Sequence, residues 1–241
     1  MIRRILATIV FLIATVILSV LSIPAALVDR SGRLYCSMAR VWSRIFLTLF
    51  GLRVVVRGAG HLSKSEHYIF AANHASYTDI PAVFVAIPKD IRLVLRHTLT
   101  KIPIWGWSLW ASPFLIIDRG NAVKAKRTLN AAVTKIKAGA SVLLFPEGTR
   151  THDGKLQAFK RGAFHLAYES GANVVPVHIH GTFDVHNRFE RLPRSNMTIT
   201  VTIGKPLSVD TSIDGDRNRE MDLMQRTEEA VRKLIPNVTS D

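Results

Sequence analysis

Two clusters of polar residues in this sequence have the types and spacing that acid–base chemistry on an anionic substrate needs. The first, Asn73-His74-Ala75-Ser76-Tyr77-Thr78-Asp79, follows an apolar run that ends at Ala72. A histidine held by a carboxylate is a general base: the carboxylate fixes the tautomer and stabilises the imidazolium once the proton has arrived. On one straight helix, residues five apart point about 140° away from each other. His74 and Asp79 therefore pair only if His74 lies on a strand-to-helix loop and Asp79 in or before the first helical turn, a boundary that Pro81 favours. The same residues also read without chemistry, as a capping box from Ser76 to Asp79 beside an ordinary loop histidine.

The second cluster is Phe145-Pro146-Glu147-Gly148-Thr149-Arg150, again at the end of an apolar run, followed by Phe159-Lys160-Arg161-Gly162. Gly148 lets a ligand approach the backbone, and Arg150 carries the planar fork that grips phosphate. Lys160, Arg161 and the amino end of a helix beginning at Ala163 form a second anion-binding element. The bland alternative is a solvated basic loop. Between Arg92 and His165 there are 13 Lys or Arg and three acids, Asp118, Glu147 and Asp153, so the positive field centres on these loops.

The elements that must position both clusters are short β-branched runs alternating with helical patterns from residue 52 onward, the signature of an α/β domain. Strands are expected at 52–56, 68–72, 92–95, 114–117, 141–145, 174–178 and 197–203. In the last, Met197, Ile199, Val201 and Ile203 alternate with threonines, giving one buried and one polar face. Helices are expected at about 80–87, 121–137 stopped by Gly139, 163–170 closed by Gly171, and 217–235 closed by Pro236. Stretches 97–112 and 181–196 read as irregular, and Trp105, Trp107 and Trp110 in the first suit either a core or an apolar groove beside a membrane.

The chain has 241 residues, 48% of them apolar, with 32 Lys and Arg against 18 Asp and Glu, a net charge of +14. That excess points to an anionic partner: phosphorylated metabolite, acidic lipid or nucleic acid. Residues 5–28 carry no charge, and as a helix they reach about 36 Å, enough for a hydrocarbon core of roughly 30 Å. A cleaved signal peptide is the rival reading, although the apolar stretch is too long for one and Pro24-Ala25-Ala26 makes a poor cleavage site. Residues 33–50 repeat apolar side chains at steps of three and four, with Arg33, Arg40 and Arg44 on the other face: a basic amphipathic helix for an anionic membrane surface, or a helix that packs on the core. More arginine follows the apolar segment than precedes it, which places the main domain in the cytoplasm, on the inner membrane, whether the segment spans or turns back at Pro24. The expected division is thus an anchor over 1–50 and a catalytic domain over 51–241. One cysteine, Cys36, excludes an internal disulfide framework and a cysteine-based zinc site. His178 and His180 share a strand face but lack a partner carboxylate pattern, so no metal is expected. Nucleic acid is not an expected partner either: no zinc-finger or RNA-sheet motif is present, and Gly58-Ala59-Gly60 lacks the third glycine of a dinucleotide loop.

The NHxxxxD block followed some seventy residues later by FPEGTR resembles the glycerolipid acyltransferase family, in particular its bacterial 1-acyl-sn-glycerol-3-phosphate acyltransferases. Two weaker blocks, Ile102-Pro103-Ile104-Trp105-Gly106 running to Ile116-Ile117-Asp118-Arg119, and Val175-Pro176-Val177, occur in the family's order, and the resemblance spans about residues 34–207. It implies a glycerol-3-phosphate acyltransferase-like fold, a central mixed sheet flanked by helices. It further implies that His74 is the base, Asp79 its partner, and Glu147, Gly148 and Arg150 the site for the glycerol phosphate of the acceptor; Thr149, Arg96, Lys160 and Arg161 complete the expected substrate-binding set. The implied reaction moves an acyl chain from acyl-CoA or acyl carrier protein to lysophosphatidate, with no other cofactor. Arg96 stands where many relatives have lysine. A hydroxyl attacking a thioester needs a base and oxyanion donors but no enzyme nucleophile. The absence of GxSxG agrees with that.

Overall fold

The computed structural model describes residues 1–118, 120, 122–210 and 212–236. Seven strands form one sheet: β1 (Arg53–Arg57), β2 (Ile69–Ala72), β3 (Ile91–Arg96), β4 (Leu115–Ile117), β5 (Ser141–Leu144), β6 (Val174–His180) and β7 (Thr198–Ile203). Their order is β1-β7-β6-β2-β5-β3-β4, and every pair is parallel except β6 with β7. The sheet is mixed, as expected, and all seven expected strands are present. Thr198, Thr200 and Thr202 alternate with fully buried Ile199, Val201 and Ile203, the two-faced pattern the sequence shows.

The helices are α1 (Ile2–Val28), α2 (Arg33–Leu49), α3 (Asp79–Ala86), α4 (Trp105–Ala111), α5 (Ala122–Lys137), α6 (His165–Ser170), α7 (Thr182–Val185) and α8 (Asp216–Lys233). The central strands β2 and β5 are buried on both faces, as parallel strands covered on both sides must be. Phe70 and Ala72 point into one core with α2 and α3, and Ile69 and Ala71 into a second with α5, α6 and α8. Because β2 and β5 are neighbours, in register from Ile69 opposite Val142, the loops leaving them lie side by side at one end of the sheet. In an open α/β sheet, the carboxyl ends of the strands are where ligands bind.

Three expectations change. The stretch 97–112 is ordered: a 3-10 turn over His97–Lys101 leads into α4. Seven residues are too few for helical periodicity to register, and Gly106 lets the helix lie on the turn, since a Cβ there would approach the Thr100 carbonyl to 2.4 Å. In 181–196, α7 is likewise a single short helix. The chain does not turn back at Pro24, which lies inside α1; it reverses at 29–32, where Asp29 accepts the Ser31 and Leu34 N–H groups and Gly32 is left-handed. Arg119 and Asn121, the end of a sequence block and the start of an expected helix, lie outside the described residues.

The division at residue 50 does not coincide with a break in packing. Cys36, Phe46 and Phe50 are buried in the core shared with α3, and the Arg92 side chain of β3 donates to the Ser31 carbonyl and to Cys36 Sγ. Cys36 therefore faces the protein and not lipid, and burial pushes its thiol up to about 11. By length and composition α1 is apolar enough to cross a membrane. Its outward side chains, Leu6, Leu12, Ile13, Val20 and Leu21 among them, are exposed, and the chain is membrane-associated.

Candidate active site

His74 lies on the loop after β2 and Asp79 is the first residue of α3, the boundary that Pro81 implies. His74 Nδ1 donates to Asp79 Oδ2 at 2.7 Å, and the same oxygen accepts the N–H groups of Ala75 (2.8 Å) and Ser76 (3.0 Å). The Ser76 bond is half of a capping box, so the two readings of the motif coexist: one fully buried carboxylate both closes the helix and holds the imidazole. With Nδ1–H committed to a carboxylate, the neutral ring presents Nε2 as its acceptor. The ring stacks on Phe145, centroids 4.0 Å apart, and borders the groove.

The loop after β5 grips His74 by its main chain. Glu147 Oε1 accepts the His74 N–H at 2.8 Å, and the Thr151 N–H donates to the His74 carbonyl at 2.9 Å. Glu147 Oε2 accepts the Gln157 N–H and side-chain amide at 3.2 and 3.0 Å. Glu147 is 2% exposed and its carboxyl is raised by burial, which these hydrogen bonds oppose. Its two oxygens are thus engaged inside the protein, and Glu147, expected to bind substrate, is not among the residues that line the groove.

The remaining expected residues divide. Gly148, Thr149, Arg150 and Lys160 line the groove, and Arg96 enters it from the end of β3. Gly148 adopts φ +78, and a Cβ there would lie 2.9 Å from Lys160 Nζ, so the lysine crosses directly over the glycine. The Arg150 guanidinium lies over the Tyr77 ring. Arg161 does not join them: it points to Glu220 on α8, 3.6 Å away, which also accepts from His165 Nδ1 at 2.8 Å. The expected helix from Ala163 is a 3-10 turn over Arg161–Ala163 and then the short α6, and Gly162 and Leu166 border the groove there. Sequence reasoning missed Arg188 and Arg191, which line the groove from the loop after α7; their stretch had read as irregular.

Away from this basic mouth, the groove runs between α1, α2, α3 and α4 past Phe11, Leu18, Trp42, Phe46, Phe84 and Leu109. It encloses about 1160 Å³, more than the roughly 300–1,000 Å³ of an ordinary small-ligand pocket. Ser22, Tyr35 and Ser108 hydrogen bond to one another between α1, α2 and α4 and line one part of it. A base beside cations, opening into an apolar channel, can deprotonate the hydroxyl of an anionic amphiphile whose hydrocarbon stays out of water.

Comparison with known proteins agrees with this geometry. The model of a protein family described as Acyltransferase matches residues 53–180. The 1-acyl-sn-glycerol-3-phosphate acyltransferase of Salmonella typhimurium is 32% identical over 216 residues, covering 87% of this chain and 86% of that protein. The mouse 1-acyl-sn-glycerol-3-phosphate acyltransferase alpha is 31% identical over 67% of this chain, and the chain spans 57% of its length, less than two thirds, as with the other mammalian relatives. The crystal structure of the 1-acyl-sn-glycerophosphate (LPA) acyltransferase PlsC from Thermotoga maritima superposes with a TM-score of 0.78 at 24% identity, over 99% of both chains, and shares the fold.

Proposed function

The chain belongs to the acyltransferase family, and from that premise we propose that it transfers a fatty acyl chain from a thioester to the sn-2 hydroxyl of 1-acyl-sn-glycerol-3-phosphate, giving phosphatidic acid. The observation that carries this reading is the His74–Asp79 pair beside a basic groove mouth that continues into an apolar channel.

In the reaction, His74 Nε2 takes the proton of the acceptor hydroxyl as its oxygen attacks the thioester carbonyl. Asp79 stabilises the imidazolium. The tetrahedral intermediate collapses by breaking the C–S bond, and the leaving thiolate recovers the proton from His74. The acceptor phosphate sits against Arg150, with Lys160 and Arg96 on the same rim, and acyl carbons occupy the groove between α1, α2 and α3. The donor is acyl-CoA or acyl carrier protein.

We place the protein on the cytoplasmic face of the inner membrane. Arg4 donates to the carbonyls of Leu192 and Pro193, and Ser22 Oγ meets Ser108 Oγ at 2.7 Å, so α1 is fastened to the domain near both ends. The 18 residues between these ties reach about 27 Å along the helix. A helix held along its length by a water-exposed domain lies in one leaflet, its outward face in lipid.

The deciding experiment assays the purified chain against a panel of lyso-lipids with both donors. Phosphatidic acid from lysophosphatidate, lost in His74→Ala, is the expected result. Preference for an acceptor without a phosphomonoester, such as lyso-ornithine lipid, would replace this substrate assignment while leaving the base in place.

A further inference from the structure

Two exposed aromatic patches lie near opposite ends of α1, and the proposed chemistry uses neither. On α4, Trp107 and Trp110 stand three residues apart on one helical face. They are 59% and 77% exposed, whereas Gly106, Ser108 and Leu109 are buried. Because Ser108 is bonded to Ser22, the two indoles flank the far end of α1, with exposed Lys101 just before them. Near the other end, the loop whose carbonyls Arg4 holds carries Phe189, 74% exposed between exposed Arg188 and Arg191. The groove runs along α1 between the patches.

An aromatic ring beside cations suits one environment in particular: the headgroup layer of an anionic bilayer, where an indole keeps its N–H near water and its body in hydrocarbon, and arginine or lysine meets phosphate. Both patches lie near an end of α1, whose outward apolar side chains are exposed, and the chain's net charge of +14 complements an anionic surface. We propose that the chain touches an anionic bilayer at two points besides α1: Trp107 with Trp110 at one end, and Phe189 with Arg188 and Arg191 at the other. The groove between these contacts, with its basic mouth at the Arg188 and Arg191 end, is thereby held against the lipid. The contact adds to the acyl-transfer reading and does not depend on the acceptor's identity.

The test uses the full chain on phosphatidylglycerol-rich vesicles whose acyl chains carry bromine near the headgroup. Trp42 and Trp105 are the other tryptophans, so the difference between the wild-type protein and Trp107→Phe/Trp110→Phe isolates the α4 pair. Phe189→Trp, made on that double background, reports the other end. Both probes are expected to shift to the blue and to be quenched by shallow bromines more than by deep ones. Trp107→Ser/Trp110→Ser is expected to raise the KM for vesicle-embedded acceptor by roughly tenfold, with the KM for a short-chain, water-soluble acceptor unchanged. Water-like, unquenched emission at either end overturns the two-point contact. Cross-linking between copies through position 107 or 110, with no quenching by bromine, overturns it as well by making that face an interface between chains.

Discussion

The guanidinium carbon of Arg150 sits 3.6 Å from the centre of the Tyr77 ring, a stack that joins the loop after β2 to the loop after β5. The ring fixes the plane of the fork and leaves its edge for phosphate oxygens. Arg150→Lys keeps the charge and loses the fork, so the KM for phosphorylated acceptor is expected to rise about tenfold or more while the donor KM stays constant. Tyr77→Leu is expected to raise the same KM by about two- to fivefold, and Tyr77→Phe to restore it. Steady-state kinetics on acceptors with and without phosphate check this. Equal losses on both acceptors would mean that Arg150 only holds the loop in shape.

The base role proposed for His74 calls for a kinetic change and not a structural one. His74→Ala is expected to lower kcat by about two orders of magnitude or more, with vesicle binding and melting near wild type. Asp79→Asn is expected to be impaired in both respects, because Oδ2 accepts two backbone N–H groups besides the imidazole. Turnover and thermal melts in detergent distinguish the two variants.

Glu147 gives the opposite signature to Arg150. Its oxygens accept from His74 and Gln157 only inside the protein, so Glu147→Gln turns an NH₂ group toward groups that are themselves donors. The expected cost is about 1–3 kcal/mol of stability. Lower kcat is expected without any selective effect on phosphorylated acceptors. A selective rise in acceptor KM would return Glu147 to the substrate-binding set.

His178 makes stability depend on pH. Burial, then the neighbouring His180, lowers its pKa to about 4, with Asp79 acting weakly in the other direction. The unfolded chain binds this proton near pH 6.5 and the folded chain does not, so stability is full above pH 6.5 and falls as pH drops toward 4. His178→Gln removes that term. Over this range, the melting temperature of the variant is expected to fall less steeply with acidification than that of the wild-type protein.

Deletions separate the two N-terminal helices. Removing residues 1–28 takes away one wall of the groove and most of the lipid-facing surface. Removing residues 1–50 also strips Cys36, Phe46 and Phe50 from the main core. The shorter deletion is expected to keep a cooperative thermal transition and lose activity on vesicle-embedded acceptor; the longer one is expected to lose the transition itself. Near-ultraviolet circular dichroism and melting curves read the difference.

The central strands were legible because strands covered on both faces are written as dense apolar runs, as at 141–144 and 174–180, and β7 because its buried residues alternate with threonine. The pairing of His74 with Asp79 was legible because Pro81 marks where a helix can begin. α4 was not, because its course depends on Gly106 meeting the Thr100 carbonyl, a tertiary contact with no period. Nor was the inward turn of Glu147: a carboxylate in a glycine-containing loop looks like a ligand group until its buried partners are known. Tyr77 and Arg150 are 73 positions apart, and only the adjacency of β2 and β5 makes them neighbours.

That adjacency also sets a timetable for synthesis. The backbone N–H of His74 has no carboxylate to meet until Glu147 has been added, 73 residues later. At roughly 5–20 residues per second, that interval lasts about 4–15 s. β6, the other neighbour of β2, arrives later still. α1 and α2 are made well before then, so they precede the completed site. The grip of the β5 loop on His74 is therefore among the later contacts the growing chain can make, formed only after both N-terminal helices have been made.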